Sequence, residues 1–239
     1  MKKSLFALST AIVLGAVPTL AQADLAFNAG VFSDYRYRGI SQTRLKPAVQ
    51  AGVDYSLGGF YVGAWASSIK WIKDFGGDAN VEVDLYGGYK GDIIKDSLSY
   101  DVGVLRYQYP SNKLKPSSNT TELYGALTYG PATLKYSHAL TNTFGALDSK
   151  NTYYLDLSAT FDVGGISVVP HVGYQKYKGP AAADATYTDY SLTVSKDFSG
   201  LVLSLAAVDT NAKKAFYASP ANGKNLGKAG VVVGVKYNF

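Results

Sequence analysis

The residues best equipped for chemistry in this chain are charged side chains that recur at alternate positions. Asp34, Asp54, Glu82, Asp84, Asp101, Glu122, Asp156 and Asp189 are acidic; Arg36, Arg38, Lys90, Arg106, Lys135 and Lys236 are basic. Each falls on the polar parity of a segment read as a strand, and strict alternation puts the two parities on opposite faces. Fourteen charges on one face need water or each other, because a basic group at mid-depth in hydrocarbon costs about 2–4 kcal/mol. Two arrangements satisfy them: a wet pore whose charges tune permeation, or a narrow lumen filled by ion pairs. Eight acidic against six basic groups would give a pore a mild preference for cations.

Other chemistry is thinly represented. His138 and His171 are the only side chains that titrate near neutrality without perturbation, and nothing resembles a G-x-S-x-G nucleophile turn. His138 shares the parity of Leu134 and Tyr136 at the end of a strand, and Thr141-Asn142-Thr143-Phe144 after it supplies no paired serine. Asp74-Phe75-Gly76-Gly77-Asp78 lacks the ligand density of a Ca²⁺ loop and reads as a loop tip. Zinc spacing and a phosphate loop are absent. The sequence therefore predicts no enzyme, no cofactor and no metal.

These charges must be positioned by strands. Pro47-Val49-Ala51-Val53-Tyr55-Leu57 alternates with Ala48-Gln50-Gly52-Asp54-Ser56, and Val81-Val83-Leu85-Gly87-Tyr89 with Glu82-Asp84-Tyr86-Gly88-Lys90. Twelve strands are expected, at 25–38, 47–57, 60–69, 80–90, 98–109, 121–129, 132–138, 152–161, 166–177, 189–195, 201–208 and 229–239. Short connections such as Gly58-Gly59 and Gly130-Pro131 alternate with long ones at 39–46, 70–79, 110–120, 139–151, 178–188 and 209–228. Transmembrane barrels keep short periplasmic turns and long outer loops in this way, whereas a soluble sandwich has no reason to. In two strands the pattern is uneven. The strand at 60–69 has aromatics on both parities, and in 98–109 the apolar parity switches after Val104, which suggests a bulge or a strand that leaves the membrane early. In the last strand Val231, Val233, Val235, Tyr237 and Phe239 oppose Gly234, Lys236 and Asn238; Val235, Tyr237 and Phe239 form an expected signal for the barrel assembly machinery.

The ends and composition agree with an exported barrel. Met1-Lys2-Lys3, the apolar run Leu5 to Leu14 and Ala21-Gln22-Ala23 read as a cleaved signal peptide over 1–23, leaving a single barrel domain at 24–239. There is no cysteine, and Tyr is abundant at 20 residues, as suits membrane interfaces. Without the two lysines of the leader, the 23 basic and 18 acidic residues leave a net charge of +3, too weak and dispersed for a nucleic-acid footprint. The six long connections carry twelve Lys/Arg against five Asp/Glu, suited to solvated tips or to anionic lipopolysaccharide phosphates.

Ser33-Asp34-Tyr35-Arg36-Tyr37-Arg38-Gly39-Ile40-Ser41-Gln42-Thr43 followed by Pro47 to Tyr55 resembles the opening of the TorF-type porin family. Gly59 to Ala66, Asp84 to Tyr89, Ser99 to Gly103, Thr121 to Gly125 and Tyr129 to Pro131 extend the similarity over most of the mature chain. The resemblance implies an outer-membrane protein that passes small solutes, with no catalytic or binding residues to transfer. The sequence reading is thus an all-β, antiparallel transmembrane barrel passing small hydrophilic solutes, with outer-membrane lipid, lipopolysaccharide and the assembly machinery as partners. Its alternatives are a non-conducting structural or adhesion barrel with a packed lumen, and a barrel enzyme acting on lipid.

Overall fold

The computed structural model describes residues 23–239, so all but the last residue of the expected signal peptide lies outside it. In chain order the strands are β1 (Asp24–Phe32), β2 (Arg36–Tyr37), β3 (Ile40–Ser41), β4 (Ala48–Leu57), β5 (Phe60–Ser68), β6 (Val81–Ile94), β7 (Leu98–Gln108) and β8 (Thr120–Tyr129). They continue with β9 (Ala132–Ala139), β10 (Tyr153–Ala159), β11 (Phe161–Val163), β12 (Ile166–Lys176), β13 (Tyr187–Phe198), β14 (Leu201–Thr210) and β15 (Gly230–Asn238). Single helical turns α1 (Trp71–Asp74), α2 (Ala182–Ala185) and α3 (Lys214–Tyr217) sit in the long connections.

The sheet closes on itself. β1 pairs antiparallel with both β4 and β15, and β10 with both β9 and β12. β10 and β11 are one wall strand interrupted at Thr160, whose N–H donates to the Pro131 carbonyl at 2.9 Å. The wall therefore has twelve antiparallel strands, with β2 and β3 standing apart as a separate two-stranded ladder. The seam is completed by Phe239, which exchanges two backbone hydrogen bonds with Phe27. Closure leaves no unpaired edge, which is the condition for sheet backbone to survive in hydrocarbon.

Large apolar side chains crowd the outward parity of the wall, and the inward parity carries most of its polar and charged side chains. In β15, Val233 is 52% exposed on the outside while Lys236 is 8% exposed inside, the division expected of that strand. β5 resolves the same way, with Phe60 and Val62 exposed outside and Tyr61 buried inside.

β7 departs from the sequence reading. Its register with β6 and β8 runs unbroken from Ser99 to Tyr107, and the one irregularity lies in β6 between Asp92 and Ile94. Hence Leu105 and Tyr107 share the inward face with Asp101, and Arg106 faces outward rather than lining the lumen. The apolar switch after Val104 is real, but it marks a change in what the interior offers: Leu105, Tyr107 and Tyr109 pack on a protein core inside the barrel.

That core comes from a second departure. β1 ends at Phe32 instead of running on to residue 38, and the chain from Ser33 to Lys46 folds into the lumen. Its tip is a two-residue turn with Arg38 at φ 45° and Gly39 at φ 79°, the left-handed pair that joins strands with the correct twist. Gly39 is also required by space, since a Cβ there would strike the methyl of Thr210 and lie 2.8 Å from Cβ of Asp189.

Candidate functional site

The hairpin of β2 and β3 closes the long-loop half of the lumen, and its own polar residues make the closure. Asp34 accepts from Ser41 Oγ (2.6 Å) and Thr43 Oγ1 (2.9 Å) and pairs with Arg36 Nε (2.5 Å). Arg36 Nη1 donates to the carbonyls of Gly39, Leu226 and Lys228 at 2.9–3.1 Å, tying the hairpin to the connection before β15. Asp34, Arg36 and Arg38 thus lie inside the barrel as expected, but on the hairpin rather than on the wall.

Arg38 carries the longest reach. Its guanidinium donates to both oxygens of Glu122 on β8 (3.1 and 2.7 Å) and to Gln175 Oε1 on β12 (2.7 Å). It lies over the rings of Tyr37 and Tyr154 at 4.8 and 4.3 Å, and its carbonyl accepts from Tyr187 Oη on β13 at 2.9 Å. A planar fork that meets a carboxylate with two parallel bonds is the strongest common form of ion pair. Around it, Tyr35 Oη donates to Glu82 (2.5 Å) and Tyr37 Oη to Tyr107 Oη (2.9 Å). Ile69 and Ile72 are fully buried beside them.

Beside and below the hairpin tip the lumen is lined by polar side chains. Tyr86 Oη donates to Asp54 and Tyr61 Oη to Asp101, both at 2.5 Å, with the Tyr61 and Tyr124 hydroxyls in contact. Lys135 Nζ stands 4.0 Å over the Tyr124 ring. His171 Nε2 bonds Asp156 Oδ2 at 2.7 Å, and Tyr154 Oη reaches both oxygens of Asp189. Asp84 Oδ1 and Asp156 Oδ1 have no hydrogen-bond partner among the described residues. Lys90 and Lys236 face inward on β6 and β15, nearer the short turns.

With Arg106 on the outer face, the inward set has eight acidic and five basic members of the fourteen. Residues that the sequence reading passed over are the tyrosine hydroxyls and Gln175. Their signal was present in part: Tyr86, Tyr124 and Tyr154 sit on the polar parity of their strands, whereas Tyr61 lies in the strand whose two parities both carry aromatics.

The long connections tie to one another. Asp74 pairs with Arg44 of the in-folded segment and accepts from Ser219 Oγ at 2.9 Å. Lys113 Nζ donates to Asp78 at 2.8 Å and holds that carboxyl below the usual range. The Asp74–Asp78 stretch is thus a clamp between loops, and no group of carboxylates and histidines among the described residues could hold a metal ion. His138 bonds Tyr136 Oη and Asn151 Oδ1 on the outer face, with no serine in its hydrogen-bond set.

A family model described as a bacterial protein of unknown function, Gcw_chp, matches residues 18–239. The chain belongs to the Gcw_chp family. No curated protein matches this Gcw_chp sequence. Among solved structures, the chain is similar to LpxR from Salmonella typhimurium at 10% identity, with 90% of this chain and 99% of that one covered and a TM-score of 0.47. It is also similar to the outer membrane protein OprD from Pseudomonas aeruginosa at 12% identity, covering 90% of this chain and 66% of that one, with a TM-score of 0.41. This Gcw_chp chain therefore spans about two thirds of the length of OprD. Its architecture rests on its own closed strand pairing.

Proposed function

We propose that this protein is an outer-membrane channel for small hydrophilic solutes whose outer mouth is held shut by the 33–46 hairpin. One observation carries the reading: the element that closes the lumen is held by two ion pairs, Arg38 to Glu122 and Arg44 to Asp74, by side-chain hydrogen bonds and by a few backbone bonds to loops such as Ser41 N–H to the Leu226 carbonyl, all of which rearrangement can break without dismantling the wall. The wall's own ladder is independent of the hairpin, because β2 pairs only with β3. The long connections are placed outside and the short turns in the periplasm, as in transmembrane barrels generally. The similarity of the Ser33–Thr43 stretch to the TorF-type porins belongs with this reading, as does an assembly signal at Val235, Tyr237 and Phe239. The inward acidic excess motivates a mild preference for cations.

A second reading, a barrel that never conducts, is favoured by the complete burial of Ile69, Ile72 and Ala139 at the mouth. Single-channel recording in a planar bilayer separates the two. Wild-type protein should open rarely, and the Arg38→Ala/Glu122→Gln variant should stay open for most of the record. Reversal potential across a salt gradient should then show cations favoured. A variant that is folded and still passes no current would transfer the case to the packed barrel.

A further inference from the structure

Of the two histidines, His171 is the one that faces the lumen. On β12 it stands two residues from Gly173 on the inward parity, and the strand register sets Asp156 of β10 and Asp189 of β13 on either side of that glycine. The imidazole lies between the two carboxylates: Nε2 is 2.7 Å from Asp156 Oδ2, and Nδ1 is 3.7 Å from Asp189 Oδ1. A Cβ at Gly173 would strike Tyr154 Oη and come 2.8 Å from Asp189 Oδ2, so the glycine admits the tyrosine hydroxyl to the same cluster. Tyr154 Oη donates to Asp189 and lies 3.2 Å from His171 Nε2. The ring of Tyr154 carries the Arg38 guanidinium at 4.3 Å. His171 is thus joined through one side chain to the tip of the hairpin that closes the lumen.

A neutral imidazole has one N–H and one bare nitrogen. With a carboxylate at each nitrogen, either neutral tautomer turns a lone pair on an anion; the doubly protonated ring satisfies both. The surrounding charges agree. Asp156 and Asp189 face the ring from β10 and β13, Lys135 of β9 lies across from Asp156 in the register, and Arg38 of the hairpin is engaged with Glu122 of β8. The other titratable groups are Tyr154 and Tyr187, the latter donating to the Arg38 carbonyl. These three anions are balanced by three cations only while His171 is charged. We propose that His171 is a proton latch on the 33–46 hairpin, closed while its ring is charged and released as the pH rises through its titration. Loss of the proton leaves an anion in excess, and Arg38 is the cation on an element able to move. It is drawn from Glu122 toward Asp189, and the hairpin loses the anchor that reaches furthest across the lumen. The His171 side chain is 16% exposed, so lumen water exchanges the proton, and histidine is the side chain whose charge changes near neutral pH. Because the closed state binds the proton, acid favours closure and alkali favours release. The effect on current rests on the channel reading; the movement of the hairpin does not.

Both tryptophans of the chain touch the hairpin segment. Trp65 packs edge-on against Tyr35 with ring centroids 5.3 Å apart, and the backbone N–H of Trp71 donates to the Gln42 carbonyl at 3.3 Å. Tryptophan emission of the full-length barrel in detergent, followed from about pH 5.5 to 9, therefore reads the hairpin without any current. Wild type should show a single-proton transition to redder, more easily quenched emission as the pH rises. His171→Gln should give the alkaline emission throughout, and His171→Lys, a fixed cation, the acid emission throughout. His138→Gln should follow the wild-type curve, and heat-modifiable gel mobility verifies folding of every variant. In planar bilayers the open-to-closed ratio of wild type should rise about tenfold or more over the same range and be independent of pH in His171→Gln. Flat wild-type emission overturns the proposal without recourse to variants. So does a transition that survives in His171→Gln, vanishes in His138→Gln or runs in the opposite direction, and so does a conducting wild type whose gating ignores pH. An emission change that depends on His171, in a barrel whose Arg38→Ala/Glu122→Gln variant passes no current, would keep the latch and remove the channel.

Discussion

Arg38 is held by three wall strands at once, through Glu122, Gln175 and Tyr187. Removing a single member of a buried ion pair leaves the other charge stranded, at a cost of about 3–5 kcal/mol, whereas removing both can be nearly neutral. Arg38→Ala should therefore lower the temperature at which the heat-modifiable band is lost, and adding Glu122→Gln should restore much of that loss. A loss in the double variant equal to the sum of the two single losses would show that the two groups are not coupled. The charge at position 38 was legible in the sequence. Its partners were not, because they lie 84, 137 and 149 residues further along the chain and nothing local selects them from the other polar side chains facing the lumen.

Elements were legible to the extent that each has one environment on each face. β15 is apolar outside along its length, and of its inward residues only Val232 is a large apolar one, so its parity could be read directly. Val233→Arg should destabilise the barrel by about 2–4 kcal/mol by setting a charge against hydrocarbon, while Lys236→Gln should keep the folded, heat-modifiable band. The reverse pattern would mean that the last strand is turned the other way. β7 has two interiors, a polar one beside Asp101 and a tyrosine-rich one beside the hairpin. Alternation of hydropathy then no longer reports which face is which, and Arg106 was placed on the wrong side. Strand register, which follows from backbone pairing with β6 and β8, reports it without regard to side-chain chemistry.

For the whole molecule, the closed wall divides the connections into a long set at one end and a short set at the other. Single cysteines at Ser117 and Gly223 should label with an impermeant maleimide on intact cells, and one at Lys95 in the β6–β7 turn should not; this chain has no native cysteine to interfere. Labelling at Lys95 alone would invert the orientation. The amino-acid sequence by itself determined the strand count, the alternation of short and long connections and the polar interior, because each of these follows from period-two hydropathy and local turn residues. Only the tertiary structure decided that the lumen is occupied. Phe32, Asp34, Arg36 and Arg38 continue the inward parity of β1 without a break, so the sequence carries no local mark of the bend at Ser33. The bend is fixed instead by the hairpin's bonds to β8, β12, β13 and the connection before β15, contacts that exist only once the ring has closed around it.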